Sequence, residues 1–106
     1  MARLGIGDGM KVVVYDAVGS MTAPRVWWML RSFGHDDVAV LDGGLTKWLA
    51  EGRPTDADAP TIGTGHFTAT VRPHMVREVG AVRANLDSGA EQVLDARSAG
   101  RFTGAD

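Results

Sequence analysis

Cysteine is absent from the 106 residues. That excludes disulfides, thiolate metal sites and a cysteine nucleophile supplied by this chain. An excess of one charge is missing too. The 11 Lys and Arg against 13 Asp and Glu leave a net charge of −2, so nothing points to nucleic acid or an anionic membrane as partner. No apolar run approaches the ~20 residues that a bilayer-spanning helix needs. The first residues, Met1 to Gly5, hold no apolar core of a signal peptide. A cytoplasmic setting is therefore expected. His35, His66 and His74 are too scattered for metal-ligand spacing. They read as surface or turn residues, and neither metal nor cofactor is expected.

Proline is scarce, and its four occurrences fall at boundaries. The apolar run Val12, Val13, Val14 with Tyr15 reads as a strand over 11–15, covered on both faces as in a parallel sheet. Pro24 suits the first turn of a helix over 24–33, in which Val26, Met29, Leu30 and Phe33 recur at helical spacing and Gly34 ends the run. A second buried strand is expected over 38–41. The turn Asp42, Gly43, Gly44 follows, then a short helix presenting Leu45, Trp48 and Leu49 and stopped by Gly52 and Pro54. Strand, helix, strand, helix in this order is a parallel α/β unit. The three tryptophans read as core or interdomain packing. The glycine cluster Gly5, Gly7, Gly9 precedes the first strand rather than following it, so it reads as a turn and not as a dinucleotide loop.

Residues 55–65 have little to bury and read as an interdomain linker. Beyond them Phe67 to Val71 alternates apolar and polar side chains, as a half-buried strand does, and Pro73 closes it. Met75, Val79, Val82 and Leu86 fit one face of a helix ending near Gly89, and 92–95 reads as a short buried strand. Asp16, Asp42 and Asp95 each follow a strand, but Asp16-Ala17-Val18 lacks the second aspartate that a magnesium-dependent phosphatase loop needs.

Several of these stretches resemble the tandem-domain rhodanese family of thiosulfate and 3-mercaptopyruvate sulfurtransferases. They are Val12 to Asp16, the run Ala23-Pro24-Arg25-Val26-Trp27-Trp28-Met29, Phe33-Gly34-His35, Val40-Leu41-Asp42-Gly43-Gly44, Lys47-Trp48, and Leu94-Asp95-Ala96-Arg97-Ser98-Ala99-Gly100-Arg101-Phe102. The resemblance implies a rhodanese-like α/β fold, a parallel sheet flanked by helices, here incomplete. It implies that residues 1–54 are the C-terminal half of a first, non-catalytic domain and 66–106 the N-terminal part of a second, catalytic one.

The resemblance also implies a double displacement. A cysteine at a strand end takes sulfane sulfur from a donor as a persulfide and passes it to a thiophilic acceptor. This chain carries no such cysteine, so no catalytic residue is assigned to it and it is expected to be inactive alone. In the first domain the equivalent strand end is held by Asp16, a degenerate active-site position whose carboxylate is expected to sit in the N–H groups of the loop and helix. Arg97 and Arg101 are the substrate-binding candidates, since a guanidinium forks onto the anionic group of a small sulfur donor. An Asp95–Arg97 ion pair that merely shapes the turn is the competing reading of Arg97. A non-catalytic binding or interaction module is the alternative for the whole chain. Neither half alone covers its strands, so the sheet is expected to be completed by permuted pairing of the two halves or by a domain-swapped homodimer.

Overall fold

The computed structural model describes residues 1–106. They form two compact units, Met1–Met75 and Val76–Asp106. In the first unit the strands β1 (Val12–Val14) and β2 (Val38–Val40) pair in parallel, with Val12 opposite Val38 and Val14 opposite Val40. Between them runs α1 (Ala23–Ser32), and α2 (Gly44–Ala50) follows β2. The expected order and the parallel pairing are thus present, with strands one or two residues shorter than the apolar runs.

Helix α1 sits where its sequence puts it. Pro24 lies in the first turn, where no intrahelical N–H is needed. At the other end Gly34 has φ +92°, its N–H donates to Arg31 O and the His35 N–H to Leu30 O, at 3.0 and 2.9 Å. This is a Schellman closure, and it depends on glycine because the left-handed region is strained for other residues. The helix packs on both strands, and the indole Nε1 of Trp27 donates to Val38 O at 3.1 Å.

The core is small. Ala23, Leu30 and Val38 are the buried apolar residues, at 2, 3 and 8% exposure. Two expectations of burial fail. Of Val26, Met29, Leu30 and Phe33, the apolar set expected to line one helix face, only Leu30 is buried, and Val13 in the middle of β1 is 54% exposed. The periodicities are right, but two strands and one packed helix cannot enclose both faces of a sheet.

The half-buried strand expected at residues 67–71 is not a strand. The segment packs within the first unit against the end of α1 and the N-terminal loop instead. The His66 carbonyl accepts from the Asp8 N–H, and the N–H groups of Thr70 and Arg72 donate to Phe33 O and Ser32 O at 2.9 Å each. Those are carbonyls at the C-terminal end of α1, which have no intrahelical donor. Arg72 adds a bidentate pair to Asp36, at 2.6 and 2.7 Å. His35 is likewise not a surface residue. It is 7% exposed, its Nε2 lies 2.8 Å from Met10 O, and its ring stacks on Phe67.

The second unit holds α3 (Val79–Ser88) and α4 (Ala99–Thr103). The helix expected from Met75 begins later, because Pro73–Met75 forms a separate 3-10 turn. Gly89 closes α3 with φ 60°. Asn85 then clamps the following turn, donating to Glu91 O and accepting from the Glu91 N–H at 2.8 Å each. The buried strand expected at 92–95 is absent. Val93 and Leu94 are 65 and 81% exposed, because a strand needs a partner to satisfy its backbone and this segment has none.

Candidate functional site

β1 delivers Asp16 to the loop that leads into α1. Its carboxylate is the hub of that loop. Oδ1 accepts from the N–H groups of Val18 and Ser20 at 3.0 and 2.8 Å. Oδ2 accepts from the N–H groups of Thr22 and Ala23 at 2.8 and 2.9 Å and from the Thr22 hydroxyl at 3.1 Å. Gly19 and Ser20 both have positive φ, at 74° and 64°, which curls the loop so that the N–H groups of Val18, Ser20, Thr22 and Ala23 face inward on the anion. The amide donors, Ala23 and Thr22 foremost, hold the Asp16 carboxyl well below the usual carboxylate range. The loop is thus built for a negative charge at the end of β1, and the chain supplies that charge itself.

The floor of the loop is fixed by α2. The Leu45 N–H donates to Asp16 O at 2.9 Å. Gly44, with φ +55°, lies so close that a Cβ there would stand 2.5 Å from the same oxygen. Gly44 is therefore needed for close approach to the Asp16 backbone, and Gly43, with φ +75°, for the tight turn after β2.

In the second unit Arg97 folds back on Asp95. Its Nε lies 3.0 and 2.9 Å from the two carboxylate oxygens, and Nη2 lies 2.6 Å from Oδ2. The Arg97 N–H also donates to Asp95 Oδ1 at 2.9 Å. The side-chain bonds first, then the backbone bond, lower the Asp95 carboxyl, and the side-chain bonds raise the guanidinium. Nη1 reaches Arg101 O at 3.4 Å, and the guanidinium carbon stands 5.7 Å from the Phe102 ring. Arg101 itself shares the turn through its backbone: its N–H donates to Ser98 Oγ at 3.4 Å, at the start of α4. The Asp95–Arg97 ion pair foreseen from the sequence is present, and at least three of the five guanidinium N–H groups are engaged.

Sequence reasoning missed the tie between Asp8 and Thr68. Thr68 donates from its N–H to Oδ1 and from its hydroxyl to Oδ2, at 2.8 and 2.6 Å. A separation of 60 residues leaves no local signal for such a contact. No group of three or more His, Cys, Asp or Glu is placed to hold a metal ion.

A parallel β–α–β unit whose first strand ends in an amide-lined, anion-holding loop defines the class: an α/β domain of rhodanese type, with an incomplete sheet. Residues 2–51 match the rhodanese-like domain family. Over 106 aligned residues the chain is 42% identical to human 3-mercaptopyruvate sulfurtransferase, covering 98% of this chain and 36% of that protein. It is 43% identical to bovine thiosulfate sulfurtransferase over 106 residues, again 98% of this chain and 36% of the relative. The crystal structure of SseA, an Escherichia coli 3-mercaptopyruvate sulfotransferase, superposes with a TM-score of 0.83 at 36% identity, covering 92% of this chain and 37% of that one. Residues 2–51 are thus rhodanese-like, and the chain spans a little over a third of the length of these relatives. No helix is long and apolar enough to cross a membrane.

Proposed function

We propose that this chain is part of a sulfurtransferase that moves sulfane sulfur from thiosulfate or 3-mercaptopyruvate to a thiophilic acceptor. In this reading residues 1–54 are the C-terminal half of a non-catalytic rhodanese-like domain, 55–65 the linker, and 66–106 the start of the catalytic domain. The persulfide forms on a cysteine outside this sequence. Arg97 and Arg101 face the donor's anionic group, with Asp95 orienting Arg97, and Asp16 fills the degenerate position with a fixed charge. A cytoplasmic setting belongs to the same reading. The observation that carries it is identity above 40% to two sulfurtransferases along 98% of the chain. The cradled Asp16 carboxylate supports it, because an amide-lined loop that holds an anion is also what a thiolate and its persulfide require.

The test is sulfur transfer to cyanide from either donor. The chain alone gives no turnover above a heat-inactivated control, since it has no thiol to accept sulfur. The whole protein turns over. Turnover by the chain alone overturns the persulfide route, and an inactive whole protein favours a binding module.

A further inference from the structure

We infer that residues 65–72 form a clasp that releases from the rest of the first unit as one piece while β1, β2 and α1 stay folded. The inference does not depend on the sulfur-transfer reading. Residues 65–72 form neither helix nor strand, and no backbone hydrogen bond joins one of them to another. Their order comes from what they touch, inside the first unit.

The ties recur at every second residue. His66 O accepts from the Asp8 N–H at 2.8 Å. Thr68 holds both oxygens of the Asp8 carboxylate. The Thr70 and Arg72 amides hold the Phe33 and Ser32 carbonyls, and Arg72 forks onto Asp36. Between them the Phe67 ring lies 5.7 Å from the His35 ring, centroid to centroid. This is the period-two alternation of an extended chain, directed at loops and a helix end rather than at a strand. With one residue between successive ties, no tie can part widely without its neighbours. The segment is therefore a cooperative unit of local opening.

The surface beneath is shaped for the clasp. A Cβ at Gly65 would stand 2.6 Å from Ile6 O, and one at Gly7 would stand 3.1 Å from His66 O. Neither glycine has a positive φ, so it is the close approach of two backbones that requires glycine here. The clasp supplies none of the buried apolar side chains, which are Ala23, Leu30 and Val38. Its release leaves that core intact, and segments with few buried apolar contacts open at lower cost than the core. Upstream, Pro54 stays fixed on α2, because the Trp48 Nε1 donates to Pro54 O at 2.9 Å. Release thus turns the pinned stretch 55–72 into free chain, up to ~60 Å long when extended.

Amide hydrogen exchange, followed residue by residue in the full chain, tests this. The Asp8, Thr68 and Thr70 amides share one protection. It is lower than that of the Val12 and Leu41 amides, which bond to Asp37 O and Val14 O beside the sheet. Gly65→Ala and Arg72→Gln alter opposite ends of the clasp. Arg72→Gln speeds exchange at Asp8, Thr68 and Thr70 alike by about fivefold. Gly65→Ala speeds it at the same positions by roughly tenfold or more. Both leave Val12 and Leu41 unchanged, and chymotryptic cleavage after Phe67 quickens by the same factors. Acceleration confined to the altered end overturns the inference, because the ties are then independent. Equal acceleration at Val12 and Leu41 overturns it too, since the clasp is then inseparable from the sheet. So does a chain in which none of these amides is protected, or a cleavage rate that neither substitution changes.

Discussion

Replacing Asp16 with cysteine converts the anion cradle into a measurable thiol. The Sγ of Asp16→Cys takes nearly the place of the carboxylate carbon, within reach of the same donors. Four backbone N–H groups meet the carboxylate oxygens at 2.8 to 3.0 Å, and α1 begins at Ala23 directly behind them. Those donors already hold the carboxyl below its usual range, and they favour a thiolate for the same reason. An unperturbed cysteine has a pKa of about 8.5 and is only ~3% thiolate at pH 7, whereas cysteines at helix N-termini fall to about 3.5–7.5. A value near 6.5 makes the side chain ~75% thiolate at pH 7, roughly 25-fold more than an exposed thiol. The assay is the pH dependence of alkylation by iodoacetamide, with thiolate absorbance as a second readout. No other thiol interferes. Thiosulfate then loads the site in one step. The thiolate attacks the sulfane sulfur, the sulfur–sulfur bond breaks, and sulfite leaves with the electron pair. One cyanide-releasable sulfur per chain is expected. A pKa at or above 8.5 in a folded variant refutes the claim that this loop stabilises negative charge at the end of β1.

Three further outcomes follow from the same geometry. Gly44→Ala puts a Cβ 2.5 Å from Asp16 O at a φ of +55°. The conformational strain and the forced backbone shift together remove about 2–4 kcal/mol of stability, read as a fall in Tm of roughly 10 °C or more; an unchanged Tm refutes the close approach. The folded Asp16 carboxyl titrates below its ordinary value of 3.8, so its stabilisation is complete above about pH 4 and is lost as the pH falls further; Asp16→Asn should flatten that part of an acid denaturation curve, and identical curves refute the assignment. In the whole protein, Arg97→Ala raises KM for the sulfur donor more than it lowers Tm. An unchanged KM with a lowered Tm assigns Arg97 to the turn with Asp95 alone.

The local features were legible because their causes are local. Pro24 and Gly34 bracket α1 by restricting φ or freeing it, and the valine runs mark both strands whatever surrounds them. Gly89 stops α3 for the same reason as Gly34. Burial was less legible, because a sequence shows which residues could be covered and not whether anything covers them. Val13 and Leu94 look like core and are exposed. The segment 67–71 has a strand's alternation, but its Thr68 and Thr70 amides donate to the Asp8 carboxylate and to the Phe33 carbonyl at the end of α1, with no strand beside them.

The amino-acid sequence by itself determined the order β1, α1, β2, α2, the aspartate at each strand end, the glycines behind β2 and the absence of any sulfur-accepting thiol. Each follows from backbone restriction, side-chain period or simple inventory. Tertiary structure alone decided that five donors converge on Asp16, that Gly44 is pressed against its carbonyl, that His35 is buried under Phe67, and that Arg72 and Thr68 tie back across tens of residues to Asp36 and Asp8. Those contacts join distant positions, and their energies exist only once the chain has brought the partners within hydrogen-bonding or van der Waals range.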